Sequence, residues 1–235
     1  MSVIRGARER ARIEVTAAIK EEARRQLAAE GAARLSLRAV ARELGMVSSA
    51  LYRYYASRDE LLTALIIDAY DAIGGAAERA ADAPAPSARD RWVAACHAIR
   101  DWARSHPHEY ALIYGSPVPG YQAPEATVGP ASRVPLAFTG LLARAAADGE
   151  LSLPPAGGTV APLDDGLAAQ AASLSDALGL PEVPPDALVS AVVAWTQLFG
   201  MISFELFGQF VGSFEPADAL FARSVAALAA LAGLP

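Results

Sequence analysis

Residues 36 to 63, SLRAVARELGMVSSALYRYYASRDELLT, pack three helix starts into 28 residues, and punctuation that dense leaves few folds open. Ser36 is placed to cap a short helix whose inward residues Val40, Ala41 and Leu44 recur at helical spacing. Gly45 closes it, because glycine tolerates the positive φ of a tight helix-to-helix turn, and the small Ala41 lets the next helix approach. A second helix is expected from about Ser48 or Ser49 to Tyr55, burying Leu51 and leaving Val47, Ser48, Ser49, Tyr52, Arg53 and Tyr54 at its start and outer side. Ser57-Arg58-Asp59-Glu60 then forms an S-x-x-E capping box ahead of a long helix through Leu61, Leu65, Ile66, Ala69 and Ile73. A helix, a tight turn and a short exposed helix suit a DNA-reading element. The same spacings also suit three helices of an ordinary core with the tyrosines turned inward.

Charge is distributed unevenly along the chain. The net value is −6 over 235 residues. Residues 1–60 carry 12 Arg/Lys against 8 Asp/Glu, which is +4, and the rest carries 8 against 18, which is −10. Basic character sits where phosphates would be met, and the acidic remainder would be repelled from them. Arg5, Arg8, Arg10 and Arg12 precede or open the first helix, where an arm would reach along a DNA backbone or into a minor groove.

The motif residues Leu35-Ser36, Val40-Ala41, Leu44-Gly45, Leu51-Tyr52-Arg53-Tyr54-Tyr55 and Arg58-Asp59-Glu60-Leu61-Leu62 closely resemble the N-terminal domain of the TetR/AcrR family of transcriptional regulators. The resemblance is good over about residues 10 to 75 and weaker beyond. It implies an all-α fold: an N-terminal three-helix helix-turn-helix domain joined by a long helix to a C-terminal helical ligand-binding and dimerisation domain. The boundaries expected are 1–56 for the DNA-binding domain, 57–80 for the connecting helix and 81–235 for the remainder. Tyr52 corresponds to a tyrosine that commonly meets a phosphate in the family. Ser36 offers a hydroxyl and a backbone N–H to another phosphate, and Arg58 follows as a backbone clamp. Arg38, Ser48, Ser49 and Arg53 suit base edges, since arginine makes bidentate contacts to guanine and serine pairs with several bases. Val47 faces either a thymine methyl or the turn, and Tyr54 either a phosphate or the core.

A module this small reads a long operator by doubling: a two-fold dimer sets two recognition helices roughly 34 Å apart on a pseudo-palindrome. The expected dimer surface is a helix opened by Pro185-Asp186, with Leu188, Val192, Trp195, Leu198, Phe199 and Ile202, and a second from Pro216 to about Ala230, with Leu220, Phe221, Val225 and Leu228. As in relatives, two helices from each protomer would make a four-helix interface; the alternative is that both helices only close the monomer core.

Between them, residues 81–87 break the chain, helices are expected over 89–104, from Pro107, from near Glu125 to before Gly149 and over 164–178, and 115–124 forms a loop. The stretch 153–162 has the most flexible composition. Trp92, Trp102, Tyr110, Tyr114, Phe138, Trp195, Phe199 and Phe204 are expected to converge on a mostly apolar ligand cavity; each singly is better explained by a core, and the cavity rests on the group. Trp195 to Gly200 resembles the W…HG pattern of a TetR subgroup, the WHG domain, and HPHEYALIYGSPVPG its middle section. Phe199 stands in place of the histidine, which implies a more apolar inducer.

Other chemistries find little support. Cys96 is the single cysteine and lies among Trp92, Ala95 and Ile99, so a buried thiol is expected. His97, His106 and His108 lack metal-ligand spacing, with His106-Pro-His108 reading as a helix-start cap pair. No catalytic or phosphate-cradling motif is present. No apolar run approaches twenty unbroken residues and the charged start has no signal-peptide core, so a cytoplasmic protein without a membrane span or cofactor is expected. The function expected is a ligand-responsive DNA-binding regulator, a repressor released from its pseudo-palindromic operator by a small apolar inducer. The alternatives are a ligand-binding or interaction module with a degenerate DNA head, and an enzyme using the cavity.

Overall fold

A computed structural model of the chain describes residues 2–152 and 162–235. The stretch expected to be most flexible, 153–162, lies almost wholly outside them. Among the described residues every regular element is helical. The helices are α1 (Ser2–Glu30), α2 (Leu37–Glu43), α3 (Ser48–Leu51), α4 (Arg58–Asp82), α5 (Ala88–Ser105), α6 (Pro107–Tyr114), α7 (Val128–Ala147), α8 (Asp165–Leu178), α9 (Pro185–Leu206) and α10 (Asp218–Leu231).

The chain forms two compact units, Met1–Asp71 with His106–Ala131, and Ala72–Ser105 with Ser132–Pro235. The grouping is discontinuous, unlike the sequence segmentation at 56 and 80: α6 and the loop after it fold with the N-terminal helices. α4 is one unbroken helix whose residues pass from the first unit to the second at Asp71 and Ala72.

In the first unit, Ile19, Ala23 and Leu27 of α1, Val40 and Ala41 of α2, Leu51 of α3 and Leu61, Leu62 and Leu65 of α4 make one buried core. Segment 106–131 joins it through Leu112, Ile113, Val118 and Tyr121. Ion pairs fix the same union. Asp68 on α4 receives Lys20 at 2.7 Å and Arg24 at 2.8 Å from α1, and Arg24 also reaches Glu109 on α6 at 3.0 Å. These partners lie 44 to 85 residues apart for Arg24, so no local pattern announces them. Tyr114 stacks edge-on against Tyr70, and burial pushes the phenols of both upward from their usual range.

In the second unit α9 packs on α5, α8 and α10. By length and composition α9 is apolar enough to cross a membrane, with a mean hydropathy of 1.7, although its apolar run is interrupted. Here Ala187, Leu188, Ala191, Ala194, Leu198, Phe199 and Ile202 are buried in the unit. Phe221, Val225 and Leu228 of α10 are buried as well. The stripes expected to form a dimer surface are therefore largely core. The face left open by α9 carries Val192, Val193 and Phe204, each more than 40% exposed. The reason is periodicity: in a helix apolar nearly all round, spacing alone does not say which side meets its own chain.

Arg100 holds α5 to both helices. It is 3% exposed, donates to both Glu205 carboxylate oxygens at 2.7 Å and to Asp218 at 3.0 Å, and lies 4.6 Å over the Phe221 ring. Gly74 of α4 marks a close approach, since a Cβ there would stand 2.6 Å from the Arg133 Cβ of α7.

Candidate nucleic-acid interface

The turn forms as its residues require. Ser36 caps α2, its Oγ accepting from the Ala39 N–H at 3.4 Å, and Gly45 takes φ +64° in the turn. α3 is shorter than expected: it ends at Leu51, and residues 52–54 continue as tight turns, with the Arg53 N–H on the Ala50 carbonyl and the Tyr54 N–H on the Leu51 carbonyl. Leu51 and Tyr55, both buried, anchor this stretch while Tyr52 and Arg53 between them stay outside. Ser57 caps α4, its Oγ accepting from the Glu60 N–H at 3.1 Å. Glu60, however, takes the N–H of Ala56 rather than that of Ser57.

Val47 is 70% exposed and Tyr52 44% exposed. Arg38, Ser48, Ser49 and Arg53 are exposed with them, while Ser36 is half-buried. An exposed valine next to two serines and an arginine is a poor solvent face but a good complement to base edges, which offer a thymine methyl and hydrogen-bonding groups. Tyr54 is half-buried and packs on the core. Arg58, expected as a phosphate clamp, is turned inward. Its guanidinium donates to the carbonyls of Ala32 and Ala33 at 2.8 and 3.3 Å and to Asp59 at 3.1 Å, so it braces the bend between α1 and α2. The expected N-terminal arm is also replaced by helix. α1 begins at Ser2, and the exposed Arg8, Arg10 and Arg12 are on it; the Arg5 side chain lies outside the described set.

The aromatics expected to line a ligand cavity divide between the units. Tyr110 and Tyr114 belong to the first, with rings 5.2 Å apart, and Trp92, Trp102, Phe138, Trp195 and Phe199 to the second. There Trp92 lies 4.6 Å from Phe138, and Trp195 lies 5.7 Å from Phe199. Phe204 is 54% exposed, so it lines no interior. The indole Nε1 atoms of Trp92 and Trp195 are buried without a hydrogen-bond partner. An unpaired buried donor costs about 1–3 kcal/mol. Neither this nor the Arg100 cluster was visible in sequence, where only residue type and spacing are given. Cys96 is buried as expected, and burial pushes its thiol well above the usual range. Among the described residues no group of three metal-ligating side chains occurs. His106 occupies the N-cap position of α6, but its side chain makes no cap hydrogen bond.

A short outward-facing helix held behind a glycine turn, on a small helical core, defines a helix-turn-helix DNA-binding regulator. The family model for bacterial regulatory proteins of the tetR family matches residues 19–65, and that for the tetracyclin repressor-like C-terminal domain matches residues 92–228. The chain is 44% identical over 208 residues to the HTH-type transcriptional regulator Rv1816 of Mycobacterium tuberculosis (strain ATCC 25618 / H37Rv), covering 87% of this chain and 86% of that one. The HTH-type transcriptional regulator Mb1846 of Mycobacterium bovis matches equally, at 44% over the same shares. Among solved structures, the regulatory protein SCO4313 superposes with a TM-score of 0.71 at 34% identity, over 94% of this chain and 97% of its own. A Rhodococcus sp. RHA1 protein shares the fold, with a TM-score of 0.65 at 23% identity over 92% and 93% of the two chains. The chain belongs to the TetR family of transcriptional regulators.

Proposed function

We propose that this regulator is a cytoplasmic homodimeric repressor that leaves a pseudo-palindromic operator when its second unit binds a small molecule. The observation that carries the reading is the outward set Arg38, Val47, Ser48, Ser49, Tyr52 and Arg53, held by the buried Leu51 and Tyr55. In it Arg38, Ser48, Ser49 and Arg53 read base edges, Val47 meets a thymine methyl, and Tyr52 and Ser36 hold phosphates. Arg58 and Tyr54 position these residues from behind.

Dimerisation uses the open side of α9, where Val192, Val193 and Phe204 are uncovered, beside the small residues on the outer side of α10. The ligand biases the protein toward a state that binds DNA less well, and DNA weakens ligand binding by the same coupling free energy. α4 belongs to both units and is the continuous element through which that bias passes. The test is a footprint on the DNA beside the chain's own gene. Two protected half-sites about one duplex turn apart, lost in a Tyr52→Phe/Arg53→Ala double variant, support the reading; uniform, sequence-independent protection defeats it.

A further inference from the structure

We propose that the interior of the second unit takes an apolar molecule carrying an acceptor oxygen, and that the Trp92 indole N–H is the donor that recognises it. The inference rests on reading that unit as the ligand sensor, and it names the class of ligand.

Among the described residues the buried side-chain polar atoms without a partner are Nε of Arg91 and Nε1 of Trp92 and Trp195. All three are donors and all three belong to the second unit. Arg91 still holds Glu150 through Nη2 at 3.5 Å. An indole has no other polar atom, so the two tryptophans are left with none of their hydrogen-bonding capacity used. Trp92 is fully buried, at 0% exposure.

The same helix shows that this is not a general failure to pair. Eight residues further along α5, Arg100 is as deeply buried and has hydrogen bonds to Glu205 and Asp218. The surroundings of Trp92 supply nothing comparable. By helical spacing its neighbours on the buried face of α5 are Ala88, Ala95, Cys96 and Ile99, and the ring against it is Phe138. Backbone carbonyls of a helix interior are already engaged in their own helix. A bound molecule with an acceptor oxygen would satisfy this donor. A surround of Phe, Ile and Ala favours an otherwise apolar body, while the donors select a carbonyl, ester, ether or carboxylate oxygen over a hydrocarbon.

The test uses the full chain labelled with nitrogen-15. The sequence holds three tryptophans, so three indole N–H signals are followed, assigned with single Trp→Phe variants. Methyl benzoate and isopropylbenzene serve as probes of nearly equal shape that differ in acceptor oxygens. The expected result is an upfield, unpaired Trp92 signal in the free protein that moves downfield with the ester and not with the hydrocarbon. Trp92→Phe is expected to weaken the ester about tenfold, the loss of one buried hydrogen bond, and to leave the hydrocarbon unchanged.

Three results would overturn the proposal: a Trp92 signal already downfield and paired in the free protein, equal response to both probes, or no response to either at saturation. The first is read on the native chain, so it decides the matter even if Trp92→Phe fails to fold. Failure of the regulator reading looks different. An ester that moves the Trp92 signal but leaves operator binding unchanged keeps the donor site and removes its role as the inducer site.

Discussion

The two compact units divide the aromatic residues without overlap. All seven tyrosines, Tyr52, Tyr54, Tyr55, Tyr70, Tyr110, Tyr114 and Tyr121, fall in the first, and all three tryptophans and all seven phenylalanines fall in the second. A tyrosine pairs an apolar ring with a polar tip, which suits surfaces that are half core and half partner. In the first unit Tyr55 faces the core, Tyr52 faces outward, and Tyr121 shares a hydrogen bond of 2.9 Å with Thr63. The second unit instead buries Trp92, Phe138, Phe199 and Phe221 while leaving Phe204, Phe207 and Phe214 exposed, and its buried polar groups are either saturated, as at Arg100, or bare, as at Trp92. One unit displays Tyr52 and Arg53, and the other encloses Trp92 and Arg100.

This division offers a direct readout, because tryptophan fluorescence reports the second unit alone. The largest effect expected is from Arg100→Met, which removes the two 2.7 Å bonds to Glu205 and leaves that carboxylate only the longer 3.8 Å contact with Arg104. Unfolding followed by tryptophan fluorescence should show a loss of about 3–5 kcal/mol. A loss below about 1 kcal/mol would mean that Arg100 does not organise the enclosed unit. Leu51→Ala removes the side chain that anchors the displayed residues and is expected to cost about 2–4 kcal/mol. It should abolish DNA binding, with the tyrosine signal changing before the tryptophan signal; simultaneous loss of both would show the units to be one cooperative body.

Arg53→Ala tests the display itself. Operator affinity should fall by about 1–3 kcal/mol in a gel-shift titration, with stability unchanged because Arg53 is exposed. Arg58→Ala should separate bracing from contact: it is expected to lower the stability of the first unit, with DNA binding reduced only in step.

The smallest effect is one of pH. The Arg133 guanidinium, donating to Glu78 at 2.8 Å, holds that carboxyl below its usual range. A depressed folded pKa gives stability that is present above the ordinary carboxylate value, about 4.3, and lost as pH falls through the folded value. Both side chains are about one-third exposed, so screening keeps the contribution below about 1 kcal/mol. Glu78→Gln should flatten the acid limb of the second unit's stability profile by that amount, and an unchanged limb would remove the pair from the account.

Legibility in the sequence followed the same division. The caps at Ser36 and Ser57, the turn at Gly45 and the outward set around Arg53 depend on residues a few positions apart, and they appear where the spacing put them. The exceptions within the first unit are instructive. Arg58 found carbonyls at Ala32 and Ala33, 26 and 25 residues away, and α3 stopped short because tight turns replaced its last helical bonds. Much of the expected dimer stripe is buried within the chain for a related reason: α9 is apolar on more than one side, and the choice of side belongs to α5, α8 and α10.

By itself the sequence determined a string of helices, a DNA-reading turn and a family, because capping, glycine conformation and helical periodicity act over one or two turns. Only the tertiary structure decided that α6 folds with the N-terminal helices, that Arg100 spans 105 residues to Glu205, and that Trp92 is left without an acceptor. Those outcomes depend on which distant groups meet, and a hydrogen bond made or missed between them leaves no trace in the order of the residues.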